Sequence, residues 1–289
     1  MSDYLTTKEL AELLRIKERK VYDLAASGDI PCSRAMGKLL FPRRAVDAWL
    51  AANSSGVAAP VERPGVFLGS HDPLLEWALR ESRCGLATFF DSSLDGLERF
   101  AANEGIATAL HIFDAASGEW NAPAIAERFG QARVVLVEFT WRERGLIVAR
   151  GEAKKFATAG DLKGRRFAPR QPGAGSQHLF DQFLAQNGLS EDDIELAPVS
   201  RTEVDAALAV QAGKADATLG LQALAGQHGL DFVPVIRERF DLLVDRRSWF
   251  EPPMQALVDF CRSDAFAEKA GEFAGYDVSG FGQVHFNGG

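Results

Sequence analysis

The chain is short of the residues around which most enzymes and secreted domains are built. Of its 289 residues only three are cysteine, Cys32, Cys84 and Cys261. They are far apart, odd in number and in no metal-ligand spacing. That excludes a disulfide framework, fits a reducing compartment, and leaves them as small core or surface residues. The five histidines, at 71, 111, 178, 228 and 285, form no zinc pattern. A G-x-S-x-G elbow is missing, since Gly173-Ala174-Gly175-Ser176-Gln177 has small residues in the wrong spacing. So are phosphate-loop and dinucleotide fingerprints, and "GVFLGS" reads as a strand. The consecutive Ser70-His71-Asp72 cannot converge as a catalytic relay, which is assembled in space. No catalytic residue, metal ligand or cofactor is therefore assigned, and the chain reads as a binding protein rather than an enzyme. No apolar run approaches a membrane span and no secretory signal opens the sequence. The expectation is a cytoplasmic protein with no membrane partner. Repeats and low-complexity tracts are absent too.

Charge is unevenly distributed. The net charge is −8, yet residues 1–55 hold nine Lys/Arg against seven Asp/Glu. A locally positive head on an acidic chain is compatible with phosphate attraction, which needs a positive face and not a positive protein. Within that head, Thr6 or Thr7 caps a helix with Glu9 in its first turn, and Leu10, Leu13 and Leu14 recur at helical spacing. Arg15-Ile16-Lys17 reads as a tight turn. A second helix follows with Val21, Leu24 and Ala25 inward, and Gly28 suits the left-handed position that ends it. Its exposed Lys17, Arg19, Lys20 and Tyr22 are candidate contacts to bases and phosphates in a major groove. Ile30 to Phe41 reads as two short strands around Ala35-Met36-Gly37-Lys38, a wing on which Arg34 and Lys38 are placed to touch phosphate. Val46, Trp49 and Leu50 close a small core from a third helix. These stretches, "LTTKELAELLRIKERKVYDLAASGDIP" and "FPRRAVDAWL" above all, resemble the excisionase-like and mercury-regulator-like winged helix-turn-helix heads. The partner implied is double-stranded DNA.

Domain boundaries follow composition. Residues 1–52 form the head, and 53–64, rich in Ala, Ser, Pro and Gly, read as a linker. Residues 65–289 form an α/β body in which strand-like runs alternate with helical patterns, so parallel sheets covered by helices are expected. Two such halves joined by crossovers make a two-lobed architecture with its ligand between the lobes, where strand ends face helix N-termini. The stretch Val134–Val148 reads as two strands, "ARVVLVEFTW" and "RGLIVARG", at a hinge. Three serine-bearing strand-to-helix loops mark the site: Gly69-Ser70-His71-Asp72, Asp91-Ser92-Ser93 and Pro172 to Gln177. Ser70, Ser93, Gly175, Ser176, Gln177, Arg142 and Thr202 are the candidate ligand-binding residues, since small residues and hydroxyls let neutral donors approach an anion.

The body resembles the periplasmic-binding-protein-like regulatory domain that bacteria attach to helix-turn-helix heads, in proteins often associated with molybdate or tungstate. The resemblance runs through "GSHDPLLEWAL", "HIFDAASGEWNAP", "RERGLIVARG", "AVQAGKADATLGLQALA" and "GLDFVPVIRERFDLLV", over most of residues 66–245. It implies a one-component transcription regulator that binds a small anionic effector, molybdate or tungstate. The chain departs from the pattern at two places. The second-lobe loop usually runs Gly-Ser-Gly-Thr-Arg and here lacks its Arg. A Thr-His pair appears as Thr202-Glu203. Both changes disfavour a dianion, and Arg142, Arg144, Arg170 and Arg201 are the candidates to compensate. The alternatives are a small organic or aromatic anion, with Phe89, Phe90, Trp120 or Trp141 stacking on it, and a non-regulatory solute-binding protein whose head serves docking. Paired heads on two half-sites imply a homodimer, with the linker or the apolar C-terminal region as its contact.

Overall fold

The computed structural model describes residues 4–35, 37–53 and 62–289. Met36, at the tip of the expected wing, and most of the expected linker, residues 54–61, lie outside the described residues. The chain divides into two compact units, Met1–Glu62 and Arg63–Gly289.

In the first unit, β1 (Tyr4–Leu5) leads into α1 (Thr7–Leu14), α2 (Glu18–Ser27), β2 (Ser33–Ala35), β3 (Lys38–Pro42) and α3 (Arg43–Ala52). Thr6 caps α1 in a reciprocal box with Glu9, and Arg15 ends it in the left-handed region. Gly28, with φ 76°, ends α2. The hairpin β2–β3 is antiparallel, and β1 adds a third strand to it. Leu10, Ala11, Val21, Ala25, Ile30, Phe41 and Val46 form the core. Leu13, expected inward, is exposed. The buried stripe runs Leu10-Ala11 with Leu14 packed against it, and Leu13, one residue short of that row, turns about 100° off it.

The second unit opens with β4 (Val66–Gly69), α4 (Pro73–Glu81), β5 (Ala87–Phe90), α5 (Ser93–Ala101) and β6 (Ala107–Leu110). A small hairpin, β7 (Phe113–Asp114) and β8 (Glu119–Trp120), precedes α6 (Ala122–Phe129) and β9 (Val134–Val148). Then come β10 (Arg166–Phe167), α7 (Gly175–Gln186), β11 (Glu195–Leu196), α8 (Glu203–Gln211), β12 (Ala217–Leu221), α9 (Gln222–Gln227) and β13 (Asp231–Asp245). The chain finishes with α10 (Arg246–Trp249), α11 (Pro252–Cys261), α12 (Asp264–Gly271), β14 (Tyr276–Asp277) and β15 (Val284–Asn287).

One mixed sheet runs through this unit in the order β11-β10-β12-β9-β13-β6-β4-β5, with β14 and β15 also on β9. The outer strands on each side are parallel, as alternation with helices predicts. The centre is not: β9 and β13 are two fifteen-residue antiparallel strands shared by both lobes. Sequence reading split β9 into two strands on either side of the polar Arg142-Glu143. In the structure, Arg142, Arg144 and Glu238 are buried and paired, with Asp72 and Glu203 completing the countercharge, so the strands continue through them. The Val134–Thr140 part of β9 belongs to the first lobe and packs with β13 residues 240–245, while Arg144–Val148 pairs with β12 and the start of β13 in the second.

Helices α11 and α12 were not read from the sequence. Met254, Leu257, Cys261, Phe266 and Ala270 join Phe67, Leu74, Leu75, Phe139 and Phe240 in the first-lobe core. These residues are satisfied within the chain, whereas Phe250 and Val284 of the same region stay exposed. Cys84 and Cys261 are core residues, and burial pushes the Cys261 thiol well up. No helix among the described residues is long and apolar enough to cross a membrane.

Candidate functional site

A cleft of about 1060 Å³ lies between the two lobes of the second unit. Its walls are the loops that lead from strands into helices, as the two-lobed topology requires. On the first lobe, Gly69 has φ 97°, and a Cβ there would sit 2.2 Å from the Ala109 carbonyl, so no side chain fits. The turn it permits delivers Ser70 into the cleft and Asp72 to the cap of α4, where its carboxylate accepts from Leu75 N at 2.8 Å. Ser92 caps α5, accepting from Asp95 N at 3.1 Å, and lines the cleft beside Asp91. On the second lobe, α7 begins at Gly175 behind Ala174, a residue with no group to cap it, so the first-turn amides of Gly175 and Ser176 open on the cleft. Thr202 caps α8 by accepting from Asp205 N at 3.0 Å.

Of the seven residues expected to hold ligand, four line this cleft: Ser70, Gly175, Ser176 and Thr202. Three do not. Ser93 is the first helical residue of α5, fully buried behind Ser70; its Oγ shares a 2.7 Å hydrogen bond with Ser70 Oγ and accepts the His111 N–H at 3.2 Å. It braces the donor in front of it. Gln177 turns back into its own lobe, where its carbonyl accepts from Arg170 N at 2.8 Å and its amide donates to Asp181 at 2.8 Å. Arg142 lies beneath the cleft, held by carboxylates. Among the aromatic candidates Phe90 lines the cleft, whereas Phe89 faces outward under Arg99, Trp120 packs on Phe113, and Trp141 is covered by Arg237 and Arg239.

Sequence reading missed His111, although it follows directly on β6 at a strand end. Ser92 lay in one of the three serine loops, and the structure places it on the cleft as the cap of α5. Glu203 was read as a change that disfavours a dianion, but its partner Arg144, 59 residues away, was not legible. It takes part in a buried chain of charges that runs across the hinge under the cleft. Asp72 of the first lobe accepts from Tyr276 Oη at 2.6 Å and from Arg142 at 2.7 Å. Arg142 also meets Glu238, Arg144 holds Glu238 at 2.7 and 2.9 Å, and Arg144 reaches Glu203 of the second lobe at 2.8 Å. Burial pushes the Glu238 carboxyl up, but Arg142 and Arg144 more than offset it and hold it well below the usual range. The Glu203 carboxyl is likewise pushed up by burial and brought below its usual value by Arg144 and Arg170. Arg142 and Arg144, candidates to replace the missing arginine, are thus committed to carboxylates, while Arg170 and Arg201 line the cleft. Among the described residues no group of three or more His, Cys, Asp or Glu is arranged to hold a metal ion.

These features define a class: a two-lobed solute-binding fold with a cleft at the hinge, carried on a chain with a separate winged helix-turn-helix unit. The chain belongs to the family of the PBP superfamily domain, whose model matches residues 76–262. Residues 4–54 match a helix-turn-helix domain. The chain is similar over nearly its whole length to the uncharacterized protein YvgK of Bacillus subtilis strain 168, at 26% identity over 302 aligned positions covering 96% of each protein. A shorter Clostridium pasteurianum protein, described only by its place in the 5' region of a 2Fe-2S ferredoxin gene, is 29% identical over 110 residues, 37% of this chain and 96% of that one. Among solved structures, the effector-binding domain of a BenM variant superimposes with a TM-score of 0.51 at 11% identity, over 75% of this chain and 99% of that one. At that identity the likeness concerns the fold alone.

Proposed function

We propose that this chain is a one-component transcription regulator that works beside DNA in the cytoplasm: its head binds duplex DNA and its cleft binds a small anionic effector. The observation that carries the effector reading is the uncapped first turn of α7, opening on the same cleft as the hydroxyls of Ser70, Ser92 and Ser176. Oriented amides and hydroxyls bind an anion without needing a full countercharge. For the head, the support is the exposure of Lys17, Arg19, Lys20 and Tyr22 along one helix and of Arg34 and Lys38 on the hairpin. The reading is of binding, with no chemical step.

Molybdate or tungstate is the first effector to test, because a hydroxyl-and-amide cage suits a tetrahedral oxyanion. A small organic acid is the second, and three observations favour it. The cleft is at the upper end of the range, roughly 300–1,000 Å³, typical of organic ligands. One wall is apolar, built from Val199, Leu221 and Leu224. The Glu203 carboxylate also faces the space. A thermal-shift screen of molybdate, tungstate, sulfate and a panel of small carboxylates separates the two, since a ligand of the native state raises apparent stability. Stabilisation by molybdate and tungstate, with sulfate weaker, supports the oxyanion. Stabilisation by carboxylates alone moves the assignment to an organic acid. No response to any anion removes the effector reading.

A further inference from the structure

His111 is the one buried titratable group on the cleft wall that the reading above leaves without a role. It follows β6 directly, is 6% exposed, and lines both the cleft and a smaller cavity of about 180 Å³ behind it. Its backbone N–H is fixed to Ser93 Oγ, the hydroxyl that also holds Ser70, so the imidazole and the first-lobe donor move as one piece. The second lobe comes right up to the ring: a Cβ added to Gly175 would sit 2.8 Å from His111 Cε1 and 3.0 Å from its carbonyl. The uncapped start of α7 and the imidazole therefore share one small space. His111 Nδ1 lies 3.1 Å from Glu238 Oε2 but without the alignment of a hydrogen bond, so among the described residues this buried nitrogen has no hydrogen-bond partner.

The groups around the ring come from every element packed on it. Glu238 and Phe240 face it from β13, the latter ring at 6.0 Å. Arg142 and Arg144 from β9 lie beyond Glu238, and Asp72 and Glu203 continue that chain on either side. From α7, His178 shares the small cavity. Burial disfavours the imidazolium; Glu238 opposes that, and the two arginines add to it, so His111 titrates below its ordinary value.

We infer, resting on the anion reading of the cleft, that His111 is a ligand contact that takes up a proton as the anion binds, so that the effector is held by an imidazolium. An anion at the start of α7 lies within reach of the ring and favours its charged form. The sign follows from that. Protonation is favoured in the bound state, so affinity rises as pH falls through the bound-state pKa and levels off below the free-state one, by up to about tenfold per pH unit between them.

The test is calorimetry of the full chain with sodium molybdate, a dianion that carries no proton of its own at neutral pH, in buffers of small and large ionisation enthalpy. The expected result is a buffer-dependent heat reporting uptake of up to one proton, with affinity falling toward pH 8. His111→Asn should bind more weakly, with neither the uptake nor the slope. Heat independent of buffer overturns the inference alone, as does equal uptake by His111→Asn. If that variant does not fold, the His111 ring is titrated by NMR in the wild type with and without molybdate, and an unchanged pKa overturns the inference. If molybdate does not bind, benzoate is used in the same way. If neither binds and no anion of the thermal-shift panel stabilises the chain, the anion reading is overturned, and this inference with it.

Discussion

At the scale of single residues, the cleft separates groups that touch ligand from groups that hold them. Ser70 and Ser176 present hydroxyls to the cleft, and Ser93 stands one layer behind. Ser70→Ala and Ser176→Ala should each weaken effector binding by about 1.5–3 kcal/mol, roughly tenfold to over a hundredfold, as expected for a lost hydrogen bond to a charged group. Calorimetry with whichever anion the screen finds checks this, and unchanged affinity in both variants would put the ligand elsewhere. The buried charges beneath the cleft make a different prediction. Glu238 is the one carboxylate between Arg142 and Arg144, and Glu238→Gln would leave two buried guanidiniums short of a countercharge. Such a loss costs about 3–5 kcal/mol, measurable as a fall in the midpoint of urea unfolding. Because the Glu238 carboxyl is held below its usual range in the folded chain, its stabilisation is present above the unfolded pKa. It is lost as pH falls from there through the folded value.

At the scale of elements, α2 is the place to test the head. If the proposed DNA face is right, Arg19→Ala and Lys20→Ala should weaken DNA binding and also flatten its salt dependence, since each removes an exposed cation from that face. A fluorescence-anisotropy titration across salt concentrations reads both, and an unchanged slope would move the DNA face off this helix. How far each element was legible depended on where its partners lay. Thr6 with Glu9, the Gly28 stop and the serines at strand ends were readable because cap and helix are adjacent in sequence. The continuity of the central strand β9 was not, because a buried Arg looks like a break until its partner Glu238, 94 to 96 residues distant from Arg144 and Arg142, is seen. Helices α11 and α12 were missed for a related reason: their apolar faces pack on a first-lobe core assembled almost two hundred residues earlier. In the site itself, Gln177 was misjudged because loop position shows that a residue is near the cleft but not which way its side chain turns.

At the scale of the whole molecule, two consequences of joining a head to a sensor can be measured. If the effector alters DNA affinity, DNA must alter effector affinity by the same factor, because binding free energies around the cycle close. Equal coupling factors from titrations in both orders support one regulatory unit; a factor of one in both would mean that the cleft does not control the head. Paired heads gain affinity by linkage, so a dimer is expected on a two-half-site operator. Most C-terminal apolar residues lie inside the chain's own core, while Phe250 and Val284 are exposed. Sedimentation of the free protein and of its DNA complex checks the stoichiometry, and a strict monomer in both would defeat the dimer.

The shared strands β9 and β13 also set the order in which the molecule can be completed as it is made. The second lobe is an uninterrupted length of chain, and its cores draw almost entirely on residues between Phe113 and Ile236. The first lobe is begun earlier, but its core waits for Met254, Leu257 and Phe266, and its strand β9 waits for β15 at Val284–Asn287. On the ribosome, where residues appear at roughly 5–20 per second, the later-born lobe is therefore the first to have all its parts. A chain released just after β13 would carry a second lobe lacking only the cover of Tyr276, beside a first lobe whose apolar face is still open.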